Sequence, residues 1–309
     1  MKYIITGGAG FIGSHIAEEL VKDDNEVVVI DSLYDGKKEN LNGFFDKVKF
    51  VKEDIRNEEV LKKEFKDADF VLHQAARRSV PQSLLEPKEY NDVNINGTLA
   101  ILEAARARDV KRVVLASSSS VYGDIDVMPE KETFSPDPLS PYALSKLAGE
   151  HYLKIFFKLY GLETVSLRYF NVFGQRQDPA SEYAAVIPLF IKLIGNDKQP
   201  TIFGDGKQTR DFTFVKNVVE GNLLACQAKK AAGEVFNLAD GEAISVNQLV
   251  EKINVLLEKD IKPTYTDIRQ GDVKHTLADP TKAREILGYK GKFKLDEGLK
   301  ITADWVLNN

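Results

Sequence analysis

The chain has 309 residues, 43% hydrophobic and 29% charged, which is enough apolar side chain for a large buried core and too much for a disordered segment. Its 42 Lys and Arg against 47 Asp and Glu leave a net charge of −5, so nothing in the balance attracts nucleic acid or an anionic membrane surface. A single cysteine, Cys226, excludes an internal disulfide and a zinc site of several thiolates; with no leader-like segment and no apolar run of spanning length, the expectation is a soluble, cytoplasmic protein without a metal.

Lys2 to Thr6 reads as an apolar strand that breaks at Gly7-Gly8-Ala9-Gly10-Phe11-Ile12-Gly13 and restarts as a helix from Ser14 to Lys22. In such a turn Gly7 reverses the chain, Gly10 lets backbone approach a pyrophosphate and Gly13 lets helix pack on strand, with the helix N-terminus toward the phosphates. An ordinary strand–helix loop is the bland alternative. The next strand, Glu26 to Ile30, weakens it by ending in Asp31, where a carboxylate would accept both ribose hydroxyls of an adenosine and repel the phosphate of NADP. NAD is therefore the expected cofactor, with the polar loop from Ser32 to Asp46 beside its adenosine. The strand Val48 to Lys52 ends in Glu53-Asp54-Ile55; Asp54 reads either as a partner of the adenine or as the N-cap of a helix starting near Asn57. Phe70 to His73 is a fourth strand, with His73 a satisfied core histidine, and it leads into Gln74-Ala75-Ala76, small enough to lie against the cofactor.

A long helix interrupted near Pro87 is expected from Leu84 to Arg108, with Asn94 in need of a partner if buried. The strand Arg112 to Ala116 delivers the run Ser117 to Gly123, placing hydroxyls at the ligand edge of a sheet. A proline-rich loop then opens a helix at Tyr142-Ala143-Leu144-Ser145-Lys146 that runs to about Tyr160. Tyr142 and Lys146 sit one turn apart on one face, so the ammonium is expected to lower the pKa of the phenol. Tyr34 and Lys38 share the spacing, but in a glycine-bearing loop with no hydroxyl cluster before it.

Six strands alternating with helices by Arg168 predict an α/β fold with a doubly wound parallel Rossmann sheet. Residues 1–171 read as the NAD-binding domain and 172–309 as a smaller mixed α/β substrate domain, interleaved, with about 211–238 returning to the first. Further along, helices are expected at Tyr183 to Leu193, Asn217 to Ala228, Val246 to Glu258, Thr281 to Leu287 and Asp296 to Val306, and strands at Thr201 to Phe203, Asp211 to Val215 and Val235 to Leu238.

With the glycine turn, Asp31, the serine run and the Tyr142/Lys146 pair in place, the chain resembles the extended short-chain dehydrogenase/reductase family, and among its members the UDP-hexose 4-epimerases. Leu167 to Gly174, Gly204-Asp205-Gly206 through Arg210-Asp211-Phe212, and Arg269-Gln270-Gly271-Asp272-Val273 extend the resemblance over nearly the whole chain. It implies that Tyr142 is the acid/base, that Lys146 holds the nicotinamide ribose, and that Ser118 bonds the sugar's O4. It adds Phe11, Ile12, Ser32, Ile55, Asn94, Ser117 and Tyr169 to the cofactor contacts. For the UDP-sugar it implies Ser79, Asn171, Arg210, Arg269 and Asp272, with Val186 and Phe203 around the uracil. The implied reaction oxidises C4 to a 4-keto sugar with NAD, turns the sugar over and reduces the other face. Family dehydratases carry Asp-Glu where this chain has Ser119 and Ser120, and decarboxylases carry a glutamate at Ser120, which disfavours both. Seven positions beyond Arg269, Thr276 falls at a gate near the sugar's C2 substituent, where threonine leaves room for an N-acetyl group. Arg77-Arg78 keeps a UDP-glucuronate 4-epimerase as an alternative, and a non-catalytic NAD-binding sensor is an alternative of another class. The resemblance also implies a homodimer through the helices at Leu84–Arg108 and Tyr142–Tyr160, the second carrying Leu147, Phe156 and Phe157.

Overall fold

In the computed structural model, which describes residues 1–178, 186–268 and 273–308, β1 (Lys2–Thr6) lies within a seven-stranded sheet. On one side of it are β2 (Glu26–Asp31) and β3 (Val48–Lys52); on the other are β4 (Phe70–His73), β5 (Arg112–Ser118), β6 (Glu163–Tyr169) and finally the strand Glu234–Leu238. Every pairing is parallel. The register sets Thr6 between Ile30 and His73, so the carboxyl ends of β1, β2 and β4 finish at one edge. The order reverses between β1 and β4, and that reversal is where a doubly wound sheet opens a crevice for ligand.

Parallel strands covered on both faces need apolar side chains at successive positions rather than alternate ones. Val27 to Ile30 and Val113 to Leu115 are buried throughout for this reason. One face packs against α1 (Phe11–Lys22) in a core with Ile16, Leu20, Val29 and Leu72; the other packs Ile4, Val28, Val71 and Val113 beneath α2 (Glu58–Glu64) and the helices that follow β4. Those are α3 (Val80–Leu85), α4 (Pro87–Tyr90), α5 (Gly97–Ala107) and α6 (Pro141–Tyr160). The helix expected over Leu84 to Arg108 is interrupted ahead of Pro87, as expected there, and a second time where Asn91–Asn96 forms a π-helical turn ahead of α5. Asn94 accounts for it: the side chain turns inward to receive Arg77 N–H at 2.8 Å, and donates to Arg77 C=O at 3.0 Å and Ser145 Oγ at 2.9 Å.

The second half builds a core of its own. Phe173, Ile187, Phe190, Phe212, Phe214, Leu249 and Leu299 meet between α7 (Val186–Gly195), α9 (Val246–Leu257) and α10 (Leu295–Asn308), while α8 (Val215–Gln227) packs beside α1. The expected strand Asp211 to Val215 is two pieces: Thr209–Asp211 pairs antiparallel with Ala243–Ser245, and Thr213–Phe214 pairs parallel with Val172–Phe173. The break falls where the buried Asp211 carboxylate accepts N–H groups of Asp240, Gly241 and Ala278 from other segments. Thr201–Phe203 pairs with Thr264–Thr266. The helix expected from Tyr183 is described from Val186, since 183–185 lie outside the described residues, and the one expected over Thr281 to Leu287 is π-helical at Ala283–Leu287. No described helix is long and apolar enough to cross a membrane.

Candidate active site

The loops leaving β1, β2, β4, β5 and β6 enclose one cleft. Gly7 turns with φ +68°, and a Cβ on it would lie 2.6 Å from Ala75 N. A Cβ on Gly13 would sit 2.3 Å from Gly7 O, so no side chain can replace hydrogen there while α1 keeps its seat on the turn. Gly10 differs: it has extended backbone, and the only atom near an added Cβ is Gly7 O at 3.1 Å. It is the N-cap of α1 with no side chain to occupy the first N–H groups of the helix, among them those of Phe11 and Ile12, which line the cleft.

Asp31 ends β2 with one carboxylate oxygen accepting Ala9 N–H at 2.9 Å and the other Leu33 N–H at 2.8 Å. Burial raises its pKa and those backbone donors oppose the rise. Each oxygen keeps lone-pair capacity for a ribose hydroxyl. Asp54 is gripped by the Arg56 guanidinium at 2.8 and 2.9 Å, which lowers its pKa; the cap of α2 is instead Asn57, whose Oδ1 accepts Val60 N–H at 3.3 Å. The capping reading of Asp54 is thereby corrected. Ser32, Ile55, Gln74, Ala75, Ala76, Ser117 and Tyr169 line the same cleft, whereas Asn94 is buried behind it. His73 is satisfied between Thr6 Oγ1 (2.7 Å) and Thr98 Oγ1 (3.0 Å), and burial lowers its pKa to about 3. The open cradle at Gly10, the helix N-terminus that no side chain caps and the Asp31 carboxylate together fit a dinucleotide with free ribose hydroxyls.

α6 begins at the mouth of this cleft because Ser140 caps it, accepting Ala143 N–H at 3.1 Å, and Pro141 fills its first position. Tyr142 and Lys146 both line the cleft. Lys146 Nζ donates to Ala116 C=O at 2.8 Å and lies 5.9 Å from the Tyr142 ring centroid; burial lowers its pKa to about 8. The phenol of Tyr142 is raised, chiefly by burial, while a hydrogen bond with Ser118 and the charge of Arg78 pull the other way. The phenol's pKa is thus raised, not lowered as the spacing suggests: the ammonium is turned to the Ala116 carbonyl, and the groups that oppose the rise are Ser118 and Arg78. Ser118 Oγ is held by the N–H (3.2 Å) and hydroxyl (2.8 Å) of Ser120.

A buried ion pair that no motif spacing reveals supports this edge. Ser117 donates to Glu150, and Glu150 pairs at 2.7 Å with Arg168, both side chains buried. A charged residue inside a strand buried on both faces demands a buried counter-charge, and Arg168 in β6 was that signal. Arg77 stacks 3.2 Å over the Tyr34 ring and reaches Glu89 at 3.2 Å, leaving its buried Nη1 without a partner; Arg78 faces Asp35 at 3.6 Å. Tyr34 and Lys38 diverge, the lysine lying over Phe45, so their helical spacing has no counterpart in space.

The residues implied for the UDP-sugar are not all gathered at Tyr142. Ser79 caps α3, accepting Gln82 N–H at 3.2 Å. Asn171 donates to Asp211 C=O at 3.0 Å and Thr276 Oγ1 at 3.1 Å, and Arg210 donates to Thr209 C=O at 2.9 Å and Lys274 C=O at 3.2 Å, so these three belong to one cluster about Thr209–Asp211. Thr276 is buried within it. Val186 is the first described residue of α7, and Phe203 is exposed at the end of its strand. Arg269 and Asp272 lie outside the described residues.

Residues 3–239 match the model of the NAD dependent epimerase/dehydratase family, and the chain belongs to that family. It is similar to the UDP-N-acetylglucosamine 4-epimerase of Methanobrevibacter ruminantium M1, solved with UDP-N-acetylmuramic acid, at 45% identity over 99% of this chain and 98% of that one, TM-score 0.95. The UDP-glucose 4-epimerase of Thermotoga maritima with UDP-glucose is 39% identical over 100% and 99% of the two chains, TM-score 0.95. The UDP-glucuronic acid 4-epimerase of Bacillus cereus, with UDP-glucuronic acid and NAD, is 34% identical over 100% and 99%, TM-score 0.93. The fold is the Rossmann-like α/β fold of these enzymes, the cofactor is NAD, and the activity class is that of the UDP-sugar 4-epimerases.

Proposed function

We propose that the chain interconverts UDP-glucose with UDP-galactose, and UDP-N-acetylglucosamine with UDP-N-acetylgalactosamine, by inverting C4. The observation that carries this reading is Tyr142 with Ser118 and Lys146 at the mouth of the glycine cradle. Bound NAD supplies the reversible oxidation of the C4 carbinol. Tyr142 Oη takes the proton of the C4 hydroxyl and returns it after the sugar has turned over. Ser118 Oγ shares that proton through its hydrogen bond to Tyr142, and Lys146 holds the nicotinamide ribose. Gly7, Gly10, Gly13 and Asp31 hold the adenosine and pyrophosphate, and Asn171, Arg210, Arg269 and Asp272 hold the UDP-sugar.

The acetylated range rests on Thr276, too small to fill the space of an acetamido group. Turnover assays with each of the two UDP-hexose pairs test it, and no turnover of UDP-N-acetylglucosamine contradicts it. Thr276→Tyr is expected to depress the acetylated pair more than the other. A second reading, a UDP-uronate substrate, is favoured by the partnerless, buried Arg77 Nη1 on the wall of the same cleft. Turnover of UDP-glucuronate to the exclusion of UDP-glucose supports that alternative.

The reading includes a homodimer. Phe156 is buried and Leu147 packs into the protein's own core, so two of the apolar residues that suggested an interface face inward. Leu144, Ile155 and Leu159 form the outward stripe of α6 instead, and Leu84 and Leu85 are exposed on the adjoining α3. A stripe of this length on two neighbouring helices is suited to a second copy.

A further inference from the structure

Asn171 follows β6 at φ +31°, and both protons of its amide are committed. The Asp211 carbonyl can only accept, so the amide atom 3.0 Å from it is Nδ2; the other Nδ2 proton goes to Thr276 Oγ1 at 3.1 Å. Thr276 Oγ1 also receives Asp211 N–H at 3.4 Å, and Thr276 N–H is tied to Thr209 C=O at 3.1 Å. Beneath them the Asp211 carboxylate, fully buried, joins three further N–H groups at 3.0 to 3.2 Å. The threonine hydroxyl is therefore one of two points that set the plane of the Asn171 amide, and Oδ1 is the one polar atom of that side chain left over.

We infer that Thr276 is a positioning residue: its hydroxyl oxygen orients Asn171 so that Oδ1 meets the substrate, and Asn171 recognises a hydrogen-bond donor, a sugar hydroxyl or an acetamido N–H, rather than a phosphate oxygen. The inference rests on the proposed UDP-hexose reading and changes the role of two residues within it. Phosphate oxygens at neutral pH accept and do not donate, so an amide with both N–H groups already used has nothing to offer them. Thr276 then has two separable properties, small volume and a hydroxyl, and valine keeps the first while losing the second.

The test uses the NAD-loaded protein and the variants Thr276→Val, Thr276→Ser and Asn171→Ala, with steady-state kinetics and calorimetric binding of UDP and of UDP-glucose. Loss of one hydrogen bond is expected to raise KM and Kd for UDP-glucose roughly three- to tenfold in Thr276→Val, with kcat much less affected. Thr276→Ser should behave as wild type. UDP, which lacks the sugar, should bind all variants equally. A Thr276→Val protein that matches wild type for UDP-glucose, or that loses UDP and UDP-glucose affinity equally, overturns the inference. Should Thr276→Val unfold below the assay temperature, Asn171→Ala decides: weakened UDP-glucose with unchanged UDP supports it, and equal loss of both overturns it. A wild type that binds UDP yet neither binds nor converts any UDP-hexose overturns the functional reading itself.

Discussion

Tyr142 is the residue on which the proposed chemistry turns. Replacing it with phenylalanine removes one hydroxyl from a ring that packs edge-on against Tyr90, so the fold should tolerate the change. Turnover of UDP-sugars is expected to fall by about 10² to 10⁴ with NAD still bound, the usual scale for losing a positioned acid/base. Near-normal turnover would remove Tyr142 from the mechanism. A second prediction concerns Glu130, which is buried with Oε2 unpartnered; burial first, and the Asp211 charge second, push its pKa from 4.5 to about 8. Below pH 4.5 the group is protonated folded and unfolded alike. Between 4.5 and about 8 only the unfolded chain releases the proton, so this group's contribution to stability is lost as pH rises through that window. Glu130→Gln keeps the shape and stays neutral. Calorimetry should show a higher melting temperature than wild type at pH 8 and little difference at pH 4.5, and an equal shift at both values would contradict the assignment. At this scale the meeting of the glycines, Asp31, Tyr142 and Lys146 in one cleft was legible in their spacing. The Lys146 side chain's turn to Ala116, and Asn57 rather than Asp54 as the cap, depend on rotamers and partners that spacing does not specify.

Among the elements, α1 and its turn separate folding from cofactor binding. A Cβ on Gly13 meets backbone at 2.3 Å, so Gly13→Ala is expected to cost about 1–3 kcal/mol in denaturant unfolding, as overpacking does. Gly10→Ala meets only one atom at 3.1 Å and adopts an ordinary extended conformation, so its stability should stay near wild type while NAD affinity falls. Unchanged NAD affinity in Gly10→Ala, or a stability loss as large as that of Gly13→Ala, would contradict this division. The sheet was readable because its strands are continuous apolar runs between glycine, serine and charged ends. Val172–Phe173, Ala243–Ser245 and Thr264–Thr266 were not, although Thr201–Phe203, equally short, was. The π-helical turn at Asn91–Asn96 was hidden for another reason: one inward asparagine reshapes a segment whose apolar pattern still reads as a regular helix.

For the whole molecule, the exposed stripe of Leu144, Ile155 and Leu159 beside Leu84 and Leu85 predicts two copies per particle. Light scattering should give twice the 34.6 kDa chain mass, and Leu159→Glu should shift it toward the monomer; a wild type that is monomeric at micromolar concentration would contradict the dimer. The layout of the molecule was partly legible. The apolar run at Val235 to Leu238 was readable as a strand, but the cluster of Asn171, Asp211 and Thr276 joins positions 105 residues apart and had no signature in local pattern. In the proposed mechanism C4 is oxidised and reduced again within one site. It is tested most directly by giving the NAD-loaded protein UDP-glucose deuterated at C4 and following both sugars by proton NMR. The expected product is UDP-galactose that keeps its deuterium at C4, with no net change in the cofactor. Absence of inversion for every UDP-hexose tried, or inversion with deuterium washed out to solvent, would contradict it.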